Sequence, residues 1–92
     1  MGIAYRFKDD YDRSLEMHAK ALAVFQSTVG ENHPDTALTY NNMGYAYYER
    51  NGEGDRARAR EMFAKAVAIR TATLGADHAD TKRAQRMMDA CG

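Results

Sequence analysis

The sequence predicts an all-α domain of stacked antiparallel helix pairs, and three observations predict it. First, the chain repeats itself. Met1-Gly2 recurs as Met43-Gly44 and Ala4-Tyr5 as Ala46-Tyr47, at a spacing of 42. Beyond the next turn the spacing becomes 45: Glu16-Met17 matches Glu61-Met62, Ala19-Lys20-Ala21 matches Ala64-Lys65-Ala66, and Asp35-Thr36 matches Asp80-Thr81. Gly30 and His33 likewise match Gly75 and His78. Self-similarity at a period of this size is the signature of a repeat architecture. Second, apolar residues return at helical spacing inside each repeat. Third, one proline and seven glycines in 92 residues leave little material for a loop-rich or all-β domain.

The elements follow in chain order. Residues 1–9 read as the tail of a first helix, with Asp10 capping the next. Ser14, Met17, His18, Ala21, Phe25 and Val29 are expected to line that second helix. Pro34 suits the first turn of the third, because its missing N–H is an orphan there anyway, and Asp35 lies near the positive end of the dipole. Tyr40, Met43, Gly44 and Tyr47 then fall at i, i+3, i+4 and i+7 and form one apolar stripe. Asn51-Gly52 and Gly54 should stop this helix, and the three extra residues of the longer spacing fall there, where a turn absorbs them cheaply. Asp55 is the expected N-cap of the following helix. That helix runs for about 20 residues, roughly 30 Å, and carries Ala59, Met62, Phe63, Ala66, Ile69 or Arg70, Thr73 and Leu74 before ending at Gly75. The expected organisation is one domain: residues 1–34 a partial first repeat, 35–78 a complete repeat, and 79–92 a C-terminal capping helix. Gly2 and Gly44 stand mid-helix, where glycine costs about 1 kcal/mol relative to alanine. Close approach of a partner helix would repay that, with Ala21 and Ala66 as the small residues opposite.

Composition narrows the function classes. The chain is 45% hydrophobic and 28% charged, with mean hydropathy −0.68. Thirteen basic residues balance thirteen acidic ones, which argues against a nucleic-acid binder or a polybasic membrane peptide. No apolar run approaches the roughly 20 residues that span a bilayer, so no membrane insertion is expected. The opening residues lack the apolar stretch of a signal peptide. A single cysteine, Cys91, makes no internal disulfide, so the expected location is intracellular and cytoplasmic.

These residues resemble a tetratricopeptide repeat. That pattern has an aromatic, then Leu-Gly three and four residues on, then Tyr; here they are Tyr40, Met43, Gly44 and Tyr47. Its second helix has a small residue, an aromatic four later and a small residue three after that, supplied by Ala59, Phe63 and Ala66 and by Ser14, His18 and Ala21. The longer repeat of kinesin light chains looks closest. Tyr40-Asn41-Asn42-Met43-Gly44 and Val29-Gly30-Glu31-Asn32-His33-Pro34-Asp35-Thr36 follow its wording. The resemblance covers essentially the whole chain and implies a right-handed α-solenoid of about two and a half repeats. Departures are local: His18 replaces an aromatic, Ala79 replaces the junction proline, and Gln85 and Asp89 stand where Tyr40 and Gly44 stand one repeat earlier. A side chain at Asp89 would obstruct another closely packed helix, hence the capping role.

Catalytic chemistry finds no support in the residues. His33-Pro34-Asp35 and His78-Ala79-Asp80 occupy the same junction one repeat apart, so a structural junction explains them better than acid–base or metal pairs. His18 has no cysteine or second histidine at ligand spacing. Gly52-Glu53-Gly54 lacks the strand and the Lys-Ser/Thr of a phosphate loop, and Cys91 has no nucleophile motif around it. Arg56, Arg58, Arg60 and Arg70 read as a solvated face paired with Asp55 and Glu61. No catalytic residue, metal or cofactor is therefore expected.

The other face of the first helices carries the functional expectation. Asn41, Tyr45 and Tyr48 share one face, with Asn42 and Glu49 beside them. In the repeat family this face lines a concave groove that receives extended peptides. By the same register Ile3, Arg6 and Phe7 come from the preceding unit, and Arg83, Arg86 and Met87 from the following one. Side-chain amides bond both N–H and C=O of a peptide, tyrosines add apolar area with a polar tip, and arginines fork onto carboxylates. The expected site is thus Arg6, Asn41, Asn42, Tyr45, Tyr48, Arg83 and Arg86, gripping an extended peptide or a helix of acidic or aromatic character. The alternative is a small structural subunit or fragment held permanently in a larger assembly.

Overall fold

The computed structural model describes residues 3–30 and 32–91, with side chains from Asp10 onward. Four helices follow one another: α1 (Ile3–Thr28), α2 (Pro34–Arg50), α3 (Asp55–Leu74) and α4 (Ala79–Cys91). Each packs against the next, and no strand occurs among the described residues. This is the stacked helix-pair architecture that the repeat predicted.

Local chemistry sets the helix boundaries. Pro34 stands in the first turn of α2, and the residue before it, His33, is the N-cap. Its backbone is extended, at φ −132° and ψ 144°, which agrees with the bias a following proline imposes. Asn51 ends α2 in the left-handed region at φ 51°, and Gly54 takes φ 77° immediately before α3. The expected cap at Asp55 is corrected by this arrangement. Gly54 is the N-cap, and Asp55 is the first helical residue, whose carboxylate accepts the Gly52 N–H at 2.9 Å.

A second correction concerns the first helix. Asp10 does not cap a new helix; α1 continues through it from Ile3 to Thr28. The physical difference lies in the linker. The α2–α3 turn contains Asn51, Gly52 and Gly54, two of them at positive φ, whereas Lys8-Asp9-Asp10 is three residues shorter and has no glycine.

The core lies between α2 and α3 and is closed by α4. Ala37, Tyr40, Ala66, Ile69 and Ala84 form one cluster; Ala59, Phe63 and Cys91 form another, with Tyr45, Tyr48, Met87 and Met88 packed against it. Leu15 joins α1 to Met43 and Ala46 of α2. The close approach expected at Gly44 is present, but its partner is not Ala66. A Cβ at Gly44 would sit 2.7 Å from Cε1 of Phe63, so the glycine makes room for the aromatic ring itself. Tyr45 meets the same ring edge-on, with centroids 5.3 Å apart. The apolar lining expected of α1 and α3 is only partly buried: Met17, Val29 and Leu74 are exposed, as is Thr73. Among the described side chains of α1, Leu15 alone is buried.

Candidate interaction surface

The groove residues expected from the sequence are distributed along α2 and α4. Tyr45 and Tyr48 are half-buried, their rings resting on the Phe63 cluster. The Arg56 guanidinium lies 5.3 Å from the centre of the Tyr48 ring, a cation–π arrangement. Asn42 is half-buried. Asn41 departs from the expectation of a presented amide: it is buried, and its Oδ1 has no hydrogen-bond partner among the described residues. Arg83 and Arg86 are exposed on α4. Glu49 is engaged already, accepting a hydrogen bond from the Tyr11 hydroxyl at 2.8 Å. The side chain of Arg6 lies outside the described residues, as do those of Ile3 and Phe7.

The residues with conspicuous charge chemistry are structural. Arg50, at the end of α2, donates through Nε and Nη2 to both carboxylate oxygens of Asp55, each at 2.7 Å. Its Nη1 reaches Asp12 of α1, also at 2.7 Å. Arg58 adds a contact to Asp55 at 3.1 Å. The guanidinium of Arg50 holds the Asp55 carboxyl far below the usual carboxylate range, against the opposing effect of burial. One arginine thereby joins three helices. Among the other arginines of the expected basic face, Arg70 donates to the Asp80 carbonyl at 3.3 Å.

The two junction histidines act as caps. His33 Nδ1 accepts the Asp35 N–H at 3.1 Å, and His78 Nδ1 accepts the Asp80 N–H at 3.1 Å. Each satisfies an orphan donor at a helix start, which is work ordinarily given to Ser, Thr, Asp or Asn. Replacing His33 with alanine is expected to cost about 1 kcal/mol, and His33→Asp to recover most of it. Chemical denaturation of the two variants checks this; an unchanged midpoint for His33→Ala would remove the capping role.

Among the described residues no group of three or more His, Cys, Asp or Glu is placed to hold a metal ion. The Cys91 thiol is buried in the Phe63 cluster, and burial pushes its pKa up, away from reactivity, although Arg56 and Arg60 oppose the shift. No described helix is long and apolar enough to cross a membrane.

One feature at the α3–α4 edge carried no sequence signal. Thr81 is buried, and its hydroxyl has no hydrogen-bond partner among the described residues. Beside it lies a cavity of about 290 Å³, walled by Val67 and Thr71 of α3 and by Lys82, Gln85 and Arg86 of α4. Only an alignment of the two junctions against each other, residue by residue, could have drawn attention to it.

A duplicated helix pair, a glycine admitting an aromatic ring, and equivalent capped junctions define a helical-repeat protein. Comparison with protein families agrees: two family models, both described as tetratricopeptide repeat, match residues 1–53 and residues 36–80. The chain belongs to the tetratricopeptide-repeat family. No curated protein and no solved structure matches it.

Proposed function

We propose that this chain is a non-enzymatic interaction module whose groove along α2 and α4 holds a peptide or helix of a protein partner. Tetratricopeptide repeats generally mediate protein–protein interaction. The observation that carries the finer reading is the pairing of half-buried Tyr45 and Tyr48 on α2 with exposed Arg83 and Arg86 on α4. Aromatic area anchored on the core, together with exposed guanidinium groups on α4, suits an acidic or aromatic segment. Half-buried Asn42 supplies amide chemistry toward a peptide backbone, and the repeat register adds Arg6 from the first unit. The Tyr40-Asn41-Asn42-Met43-Gly44 and His33-Pro34-Asp35-Thr36 wording supports a kinesin-light-chain-like subtype. An intracellular, cytoplasmic adaptor without metal or cofactor fits the single buried cysteine.

Titration of a partner recovered by pull-down and mass spectrometry tests the groove. Tyr48→Ala and the pair Arg83→Glu with Arg86→Glu are each expected to weaken binding about five- to a hundredfold, with the charge effect shrinking as salt rises. Unchanged affinity in both would sink the groove reading.

A second reading, a small subunit seated permanently in a larger assembly, is favoured by α1. Ser14, His18 and Ala21 are only half-buried and, with exposed Met17, line a surface cavity of about 410 Å³. Their counterparts Ala59, Phe63 and Ala66 are fully buried. On this reading Met17→Glu disrupts assembly while the groove substitutions do nothing.

A further inference from the structure

The two units differ most where a first helix gives way to a second. In the complete repeat α2 ends at Arg50 and α3 begins at Asp55, so residues 51–54 make the reversal. The repeat spacings carry Arg50 onto Lys8 and Asp55 onto Asp10, which leaves Asp9 alone between the corresponding positions. Two antiparallel helices need a connection of about two to five residues. The earlier unit therefore cannot reverse as the later one does without unwinding helix, and α1 runs straight through from Ile3 to Thr28.

That continuity separates two surfaces which the repeat pattern joins. In the complete repeat α2 covers α3: Ala59, Phe63 and Ala66 are fully buried, with the Phe63 ring against Gly44. Their counterparts on α1, Ser14, His18 and Ala21, are half-buried and line an open cavity with the exposed Met17. The sequence that matches the covering helix is Met1-Gly2-Ile3-Ala4-Tyr5, the counterpart of Met43-Gly44-Tyr45-Ala46-Tyr47. A continuous α1 keeps residues 3–9 from folding back onto that seat. Instead α2 ends beside Asp12, which Arg50 reaches at 2.7 Å, and residues 3–9 add roughly 10 Å of helix beyond it.

We infer that a second copy of this chain supplies the cover: two α1 helices pair antiparallel and exchange these segments about a two-fold axis. The register follows from the contact that α2 makes with α3. Gly44 against Phe63 translates into position 2 of one copy against His18 of the other, which puts the axis beside Asp10. A pair related in this way is self-complementary, so one surface serves both copies. A connection too short to reverse comfortably is also what invites such an exchange. Asp10 and Arg13 stand at the crossing, and neither has an ion pair among the described residues. The pairing brings the two Asp10 carboxylates near one another, and an arginine one turn away on each helix balances them. The groove along α2 and α4 takes no part, so this inference goes beyond the peptide-binding reading and stands apart from it.

Sedimentation equilibrium and circular dichroism of the purified full chain test the exchange. A concentration-dependent dimer is expected, and Met17→Glu should raise its dissociation constant at least about tenfold with helicity unchanged. In a Cys91→Ala background, Asp10→Cys should cross-link two chains under mild oxidation, whereas Ser27→Cys, far along the same helix, should not. Inserting Asn-Gly-Gly after Asp9 gives the connection the length of residues 51–54 and should yield folded monomers. Tyr48→Ala should leave the dimer intact, which keeps failure of the exchange distinct from failure of the groove. A monomer at every concentration, a dimer indifferent to Met17→Glu, equal cross-linking at the two positions, or a dimer that survives the insertion would each overturn the exchange.

Discussion

Phe63→Ala is expected to destabilise the fold by about 3–5 kcal/mol, the range for truncating a buried aromatic. Phe63 is fully buried, supports the edge of Tyr45, and fills the space that Gly44 leaves open. Truncation therefore leaves a cavity bounded by backbone on one side, and the glycine cannot fill it. The converse change is informative. Gly44→Leu forces a side chain into the ring and should cost several kcal/mol in the parent, because overpacking is also unfavourable. In the Phe63→Ala background the same leucine occupies the vacated volume, so the combined loss should be clearly smaller than the sum of the two. Denaturant melts of the four proteins measure this coupling. Strict additivity would mean that residues 44 and 63 do not meet.

Asp55→Ala is the second large effect, on the order of 3 kcal/mol, because it leaves the partly buried Arg50 guanidinium with only the exposed Asp12 carboxylate as counter-charge. Much of that cost is the under-compensated cation, so Asp55→Ala with Arg50→Met should recover part of it. The pH dependence follows from the depressed Asp55 pKa. Folding holds this carboxylate below its unfolded value of about 3.9, so its contribution is fully present above that pH. It is lost progressively as pH falls toward the folded value. Denaturation midpoints between about pH 5 and pH 2 should decline in the parent and decline less in Asp55→Asn. Parallel curves would show that the Arg50–Asp55 pair is energetically silent.

The fold was legible because its determinants are local and repeated. Helix-spaced apolar positions, Pro34 at a helix start, Asn51 and Gly75 at helix ends, and matched residues 45 apart all operate within a few turns of chain. Errors arose where a side chain's role depends on something distant. Asp55 looked like a cap from its neighbours, but Arg50, and through it Asp12 of α1, determines what it does. Gly44 announced a close approach without saying to what; Ala66 was the plausible small partner, and a ring was the real one. The histidine caps were hidden because histidine is an uncommon cap, so His33 and His78 read as junction residues without a mechanism. The candidate surface was half legible. Helical register put Tyr45 and Tyr48 on one face, while the burial of Asn41 and the unpaired Thr81 hydroxyl depend on packing that no spacing rule encodes.

The order of packing has a consequence for energetics of occupancy. α1, α2 and α3 are tied together at one end by a single guanidinium, whereas α4 rests chiefly on α3. In a nearest-neighbour array a helix held by one neighbour detaches more readily than one held between two. A partner that touches both α2 and α4, as the proposed groove requires, binds only when α4 is docked, so its binding free energy adds to that which holds α4 down. Under the proposed groove reading, occupancy and the docking of α4 are thermodynamically linked.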